Sequence, residues 1–339
     1  MYNFRLTKVS SSRLNFFLHA PSTKSSLLPL PRALASTTTL TEQLAPSISR
    51  VPVPWDVKGQ GWIFPIYTPF SPTPIDLPKG SYSEFEAGTS FDQSERFHGG
   101  VGMVMIVRYL EGPAGPYDEL LWIPGLFSKE DKPQEYFLTT TRIYVSTDAS
   151  VANGRKEWGI PKHRANFSFT TLDSKRTHLT VSHPTEPSPR PFFSAVLVDS
   201  KLTPFSIPVS TSWLSWSIAR PLMDGYVATL IQPPLSSSHD KAEKAQSTLK
   251  ETNQTIEAFT GSDRKTLAFT PSSTGLSKLS YLGVKAPEGR EEEEGEDWSS
   301  FGDGKGFPKF QVAKEGIISG RGIRLTSFEM HIPGGIVVA

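Results

Sequence analysis

The sequence predicts a mainly β fold of the α+β class, with only short helices. Three observations lead there. The 339 residues include 29 prolines and 26 glycines, which mark turns at short intervals. Runs with strand character outnumber runs with a helical period. No period of about 20 to 50 residues recurs, which argues against a solenoid or propeller.

The elements follow in chain order. Residues 1–41 contain no Asp or Glu but carry Arg5, Lys8, Arg13, Lys24 and Arg32 among many Ser, Thr and Leu. That composition fits either a disordered tail or an organelle transit peptide, so 1–46 is set apart from the folded domain, 47–339. The corresponding compartments are cytoplasmic and mitochondrial. Gly61–Tyr67 reads as a strand, with Pro65 favouring an edge. Val101–Leu110 is a long apolar run that suits a buried strand, and Glu111–Pro116 is a turn. Tyr117–Ile123 and Glu135–Val145 continue the strand pattern. Asp148 is placed to cap a short helix through Asn153, with Gly154 as its stop. Strands follow at Ala165–Leu172, His178–Ser182 and Phe192–Leu197. Gly225–Leu230 reads as a strand or as part of a helix from Ile218. Gly322–Ile332 is the last strong strand. Two polar insertions interrupt the domain near 236–265 and 288–305; the second holds the run Glu291–Glu294 and reads as a solvated loop.

Composition excludes several kinds of chemistry. The chain has no cysteine, which rules out disulfides, thiolate metal sites and cysteine nucleophiles. Its formal net charge of +1 gives no global field for nucleic acid or an anionic membrane. No apolar run reaches the roughly 18 to 20 residues that span a bilayer as a helix. The seven histidines do not form a spacing typical of a metal site, so no metal is expected. Nucleophile-elbow and phosphate-loop motifs are also missing.

One lysine stands out. Lys162 follows the turn Gly159-Ile160-Pro161 at the head of a strand-like run. A lysine amine is protonated at neutral pH, with a reference pKa of about 10.4. Burial in an apolar site disfavours the charged form and frees the lone pair to attack a ketone. The resulting iminium is an electron sink for decarboxylation or for aldol and dehydration chemistry. The strand pattern leaves a question open. In one regular strand over 162–170, Lys162 falls with Arg164, Asn166 and Ser168, while His163 falls with Ala165, Phe167 and Phe169. Either a break after Pro161 or a bulge turns Lys162 to an apolar cavity, or a polar-lined barrel interior receives it.

The stretch Gly154-Arg155-Lys156-Glu157-Trp158-Gly159-Ile160-Pro161-Lys162-His163 resembles the signature of the acetoacetate decarboxylase family. That signature runs Gly-Arg-Glu, variable residues, then Pro-Lys-Lys, with the Schiff-base lysine first of the pair. Lys162 falls on that lysine, His163 on the second lysine and Lys156 on the glutamate. Tyr109–Glu119 resembles the family's glycine-rich turn and places Glu119 on its pocket glutamate. Ile143–Asp148 is similar to the strand that leads into the lysine motif. The resemblance covers roughly residues 55–200.

It implies a curved antiparallel sheet or barrel around a central cavity. It implies a Schiff-base lyase without a cofactor, acting on a keto acid or related ketone larger than acetoacetate, in secondary metabolism. Lys162 would be the nucleophile, Glu119 the proton-transfer partner and His163 a pocket-side modulator. Arg155 would anchor the turn or touch substrate. A homo-oligomer is also implied, with no nucleic-acid or membrane partner. Two departures stand out. His163 removes the second lysine's charge. Gln60 stands where true decarboxylases hold a carboxylate-binding arginine, and no arginine lies near it in the sequence. The alternative function is a non-catalytic small-ligand binder on the same fold.

Overall fold

The computed structural model describes residues 48–184, 190–203, 205–211, 229–237, 260–283, 301–310 and 321–338. The basic tail, most of the 236–265 insertion and the acidic run Glu291–Glu294 lie outside the described residues. So do residues 225–228, the front of the segment that read as strand or helix.

The first half comprises β1 (Trp55–Thr68), a 3-10 turn (Ser94–Arg96), β2 (Phe97–Glu111), β3 (Tyr117–Ile123), β4 (Leu126–Ser128), β5 (Tyr136–Leu138), β6 (Arg142–Val145), α1 (Asp148–Trp158) and β7 (Lys162–Arg164). There follow β8 (Asn166–Thr171), β9 (Arg176–Ser182), β10 (Pro191–Asp199), β11 (Ile207–Ser210), β12 (Leu230–Gln232), β13 (Thr266–Phe269), β14 (Ser272–Gly283), β15 (Arg321–Ile332) and β16 (Ile336–Val338). The strands form one sheet whose main path runs β16-β13-β12-β5-β4-β2-β1-β15-β14-β10-β9-β8. The set β3-β6-β7 branches from β2, and β11 pairs with β14. Pairing is antiparallel except at β6–β7 and β5–β12. The sheet is curved but not closed, so the mainly β expectation holds while the barrel form does not.

Local differences from the sequence reading have physical causes. Strand β1 pairs with β15 from Trp55 to Ile63 and with β2 from Lys58 to Thr68. Pro65 therefore lies beyond the last β15 partner, where its missing N–H breaks no ladder bond. The single strand expected over Glu135–Val145 is divided by Thr139–Thr141 into β5 and β6. Helix α1 does not stop at Gly154. Thr147, not Asp148, is its N-cap, accepting from Ser150 N at 3.3 Å. It ends at Gly159, whose φ of 65° is the left-handed conformation that glycine adopts without penalty.

Two apolar clusters lie on opposite faces of the β2-β3-β6 sheet. One includes Trp62, Ile106, Leu120, Trp122, Tyr144 and Phe192. The other includes Val107, Tyr109, Tyr117 and Val145, and is covered by Val151 and Trp158 of α1. The alternation of side chains along each strand thus decides which face every polar residue joins.

Candidate active site

The parallel pairing of β6 with β7 sets the site. Ile143 lies opposite Lys162, Tyr144 opposite His163 and Val145 opposite Arg164. In the neighbouring pair, Glu119 of β3 lies opposite Val145. Glu119, Val145 and Lys162 therefore share the face under α1. The strand beginning at Lys162 breaks at Ala165, whose N–H turns to Val145 O at 3.0 Å. The break falls three residues after Lys162, not after Pro161, and separates β7 from β8. Lys162 and His163 are both buried, but on opposite faces.

Lys162 Nζ donates to Glu119 Oε2 at 2.8 Å, across a sequence separation of 43, and to Ser150 Oγ at 3.1 Å. The ammonium lies 5.2 Å from the centre of the Tyr117 ring. Tyr109 Oη donates to Glu119 Oε1 at 3.3 Å. All five side chains are buried. Burial pulls the Lys162 pKa down, but the Glu119 carboxylate and the Tyr117 hydroxyl outweigh it and hold the pKa above the ordinary 10.5. This corrects the expectation that burial lowers it. Tyr109 is raised by burial and by the adjacent Glu119 charge, so its proton stays on the phenol.

The residues around Lys162 explain the surrounding motif. A Cβ on Gly154 would lie 2.4 Å from Lys162 Cδ and 2.7 Å from Cε. Only glycine leaves the notch in α1 through which the lysine stem runs. Gly154 O also receives the N–H groups of Gly159 and Ile160, closing the helix end. Trp158 Nε1 donates to Pro333 O at 2.6 Å and fixes the helix against the chain's last segment. Lys156 reaches out to Asp263 at 2.6 Å on the exposed side.

Arg155 and His163 converge on Glu86, which the sequence reading missed. Arg155 Nη1 donates to Glu86 Oε1 at 3.0 Å, and His163 Nε2 lies 2.8 Å from Glu86 Oε2. Ser83 Oγ donates to the same carboxylate. Burial would raise the Glu86 pKa, but His163 and Arg155 reverse that and hold it well below the carboxylate range. Arg155 also donates through Nε to Thr260 O at 2.9 Å and through Nη1 to Lys162 O at 3.3 Å. Arg155 is thus a buried tie between Glu86 and the Lys162 backbone. In sequence Glu86 looks like exposed Glu84 two residues earlier; only Ser83 at three residues' spacing hints at a local turn.

Gln60 does not join Lys162. It lies in register with Arg108 on the other face of β1 and β2 and accepts from Arg324 Nη2 at 3.4 Å, 264 positions away in sequence. His163 likewise faces away from the Lys162 ammonium, although the two are adjacent in sequence. Among the described residues no group of three or more His, Asp or Glu side chains is arranged to hold a metal ion.

No protein-family model matches the chain. Two curated plant proteins are similar over part of their length. The rice protein NEOXANTHIN-DEFICIENT 1 is 35% identical over 82 residues, 24% of this chain and 26% of that protein. The Arabidopsis thaliana protein of the same name is 28% identical over 145 residues, 39% of this chain and 47% of that one. The chain therefore matches between a quarter and a half of these relatives' length. Among solved structures, acetoacetate decarboxylase from Legionella pneumophila aligns with a TM-score of 0.43 at 11% identity, covering 85% of this chain and 88% of that one. Another acetoacetate decarboxylase structure aligns at 0.46 and 9% identity, covering 88% and 96%. The enduracididine biosynthesis enzyme MppR, complexed with a condensation product of pyruvate and imidazole 4-carboxaldehyde, aligns at 0.40 and 11% identity, covering 84% and 89%.

Proposed function

We propose that the chain is a Schiff-base lyase acting on a keto acid or related ketone, with Lys162 as the nucleophile. The observation that carries this reading is the buried contact of 2.8 Å between Lys162 Nζ and Glu119 Oε2. A proton can pass along that hydrogen bond from ammonium to carboxylate, leaving a neutral amine beside a carboxylic acid. The pair then holds no net charge change, which suits an apolar enclosure. The amine adds to the carbonyl carbon. The carbonyl oxygen leaves as water, taking the proton from Glu119, and an iminium remains. Loss of carbon dioxide, or of an α-proton to Glu119, then gives the enamine. Ser150 and Tyr117 hold the nitrogen in place through these steps. The raised pKa sets the cost: the resting pair holds the amine protonated, and it becomes a nucleophile when Glu119 takes the proton.

A second reading is a non-catalytic small-ligand binder. The raised Lys162 pKa favours it, because a lasting ammonium–carboxylate pair has no free lone pair. Neoxanthin, the compound in the name of both plant relatives, belongs among the ligands to try under this reading.

Exchange of ketone α-protons with deuterium oxide, followed by proton NMR, separates the two. It reads enamine formation whatever the later step. A panel of methyl ketones should exchange with the wild type and not with Lys162→Ala. Equal exchange in both would defeat the lyase reading.

A further inference from the structure

We propose a second binding site, for a small aliphatic carboxylate, on the sheet face opposite Lys162, centred on Trp62 and Arg324. It does not depend on the Schiff-base reading. Trp62 of β1 and Arg324 of β15 are cross-strand partners, and the guanidinium carbon lies 5.2 Å from the Trp62 ring. Trp62 is 4% exposed. Its Nε1 and the neighbouring Arg324 Nε are closed to solvent, and neither has an acceptor among the described residues. Buried donors are nearly always paired, so two orphans on adjacent side chains call for an acceptor that arrives from outside the protein.

The surroundings fit an anion. Arg324 Nη1 donates to Asp199 at 2.6 Å, Lys278 Nζ lies 3.6 Å from the same carboxylate, and Arg108 Nε donates to Asp118 at 2.8 Å. Among the described residues three cations thus face two carboxylates, leaving one positive charge without a counterion within the cluster. The Arg324 Nη2 contact with Gln60, at 3.4 Å, is neutral and does not offset it. Aromatic rings beside the two donors would receive an aliphatic chain. Trp62 stacks with Phe169 at 6.4 Å between ring centres, and Arg108 lies 4.2 Å over Phe169. The rim is open: the side chains of Arg108 and Lys278 are 37% and 25% exposed. A carboxylate entering past this rim would accept from Trp62 Nε1 and Arg324 Nε and lay its chain against the two rings.

The test is calorimetric titration of the full chain with hexanoate, and with 1-hexanol as the neutral counterpart. Wild type should bind hexanoate, and hexanol about tenfold or more weakly, since a hydrogen bond to a charged group is lost. Trp62→Phe keeps the ring and removes the N–H. Arg324→Lys keeps the charge and removes Nε. Each should weaken hexanoate by about tenfold. If Trp62→Phe does not fold, by near-ultraviolet circular dichroism, Arg324→Lys decides alone. Lys162→Ala should bind hexanoate as wild type does. Absence of hexanoate binding to wild type, equal binding of hexanol, or wild-type affinity in either folded variant would overturn the proposal. Loss of binding in a Lys162→Ala that keeps its near-ultraviolet circular dichroism would also overturn it, by moving the carboxylate to the other face.

Discussion

Gly154→Ala puts the geometry around Lys162 to a direct test, because two principles predict opposite signs. In an ordinary helix interior, alanine is more stable than glycine by about 1 kcal/mol. In α1 the new Cβ would sit 2.4 Å from Lys162 Cδ and 2.7 Å from Cε. A long side chain could usually bend away. Here its far end is held by Glu119 at 2.8 Å and Ser150 at 3.1 Å. If the stem bends and the ion pair survives, overpacking costs about 1–3 kcal/mol. If the ammonium is driven off, Glu119 stays buried without its partner, at about 3–5 kcal/mol. After the helix gain, the expected net loss is about 0–4 kcal/mol, toward the upper end if the pair breaks. Urea unfolding at pH 7, with the slope unchanged, measures it. A variant more stable than wild type by about 1 kcal/mol would show that Lys162 does not run through the Gly154 notch.

Three further outcomes follow from the same contacts. Glu86→Gln should lower stability at pH 7 by about 3–5 kcal/mol, because Arg155 stays buried without its carboxylate. The Glu86 pKa is depressed, so its stabilisation is present above the unfolded value near 4.5 and is lost as pH falls; the variant's stability should therefore decline less toward acid. Glu119→Gln should bring the Lys162 pKa below 10.5, since burial then acts with less opposition. The wild-type contribution of Lys162 is present below pH 10.5 and lost above its raised folded value, and stability titrated to alkaline pH should show that loss only in the wild type. Thr147→Ala should cost about 1 kcal/mol in urea unfolding by removing the α1 N-cap.

The long strands were legible because their side chains declare them. Val101–Leu110 and Gly322–Ile332 are apolar or alternating over a full strand length, and both sit within strands of the sheet. Strand β14 was missed. Its sequence, Ser272-Ser273-Thr274-Gly275-Leu276-Ser277-Lys278, is small and polar, and it is held by ladders to β10, β11 and β15 rather than by its own pattern. Gly275 is required by a partner distant in sequence, for a Cβ there would lie 2.3 Å from Ser327 O. Within the candidate site, Lys162, Glu119 and Arg155 could be picked out by the resemblance of the stretches around them to a family signature. Which face each took could not, because it depends on the break at Ala165 and on the parallel pairing of β7 with β6. That same pairing sends His163 to Glu86. No arginine lies near Gln60 in sequence because its arginine neighbour, Arg324, comes from β15, 264 positions away.

The central claim is that Lys162 can form an iminium. The most direct measurement is reduction with cyanoborohydride in the presence of a methyl ketone at pH 7, followed by peptide mass spectrometry. Hydride addition converts the iminium into a stable secondary amine on the nitrogen that formed it. The account predicts one alkylated lysine, Lys162, with the adduct absent from Lys162→Ala and strongly reduced in Glu119→Gln under the same conditions. No adduct on Lys162 across a panel of ketones, or labelling spread over exposed lysines and unchanged in Lys162→Ala, would contradict it and leave the ammonium–carboxylate pair a structural element of a binding protein.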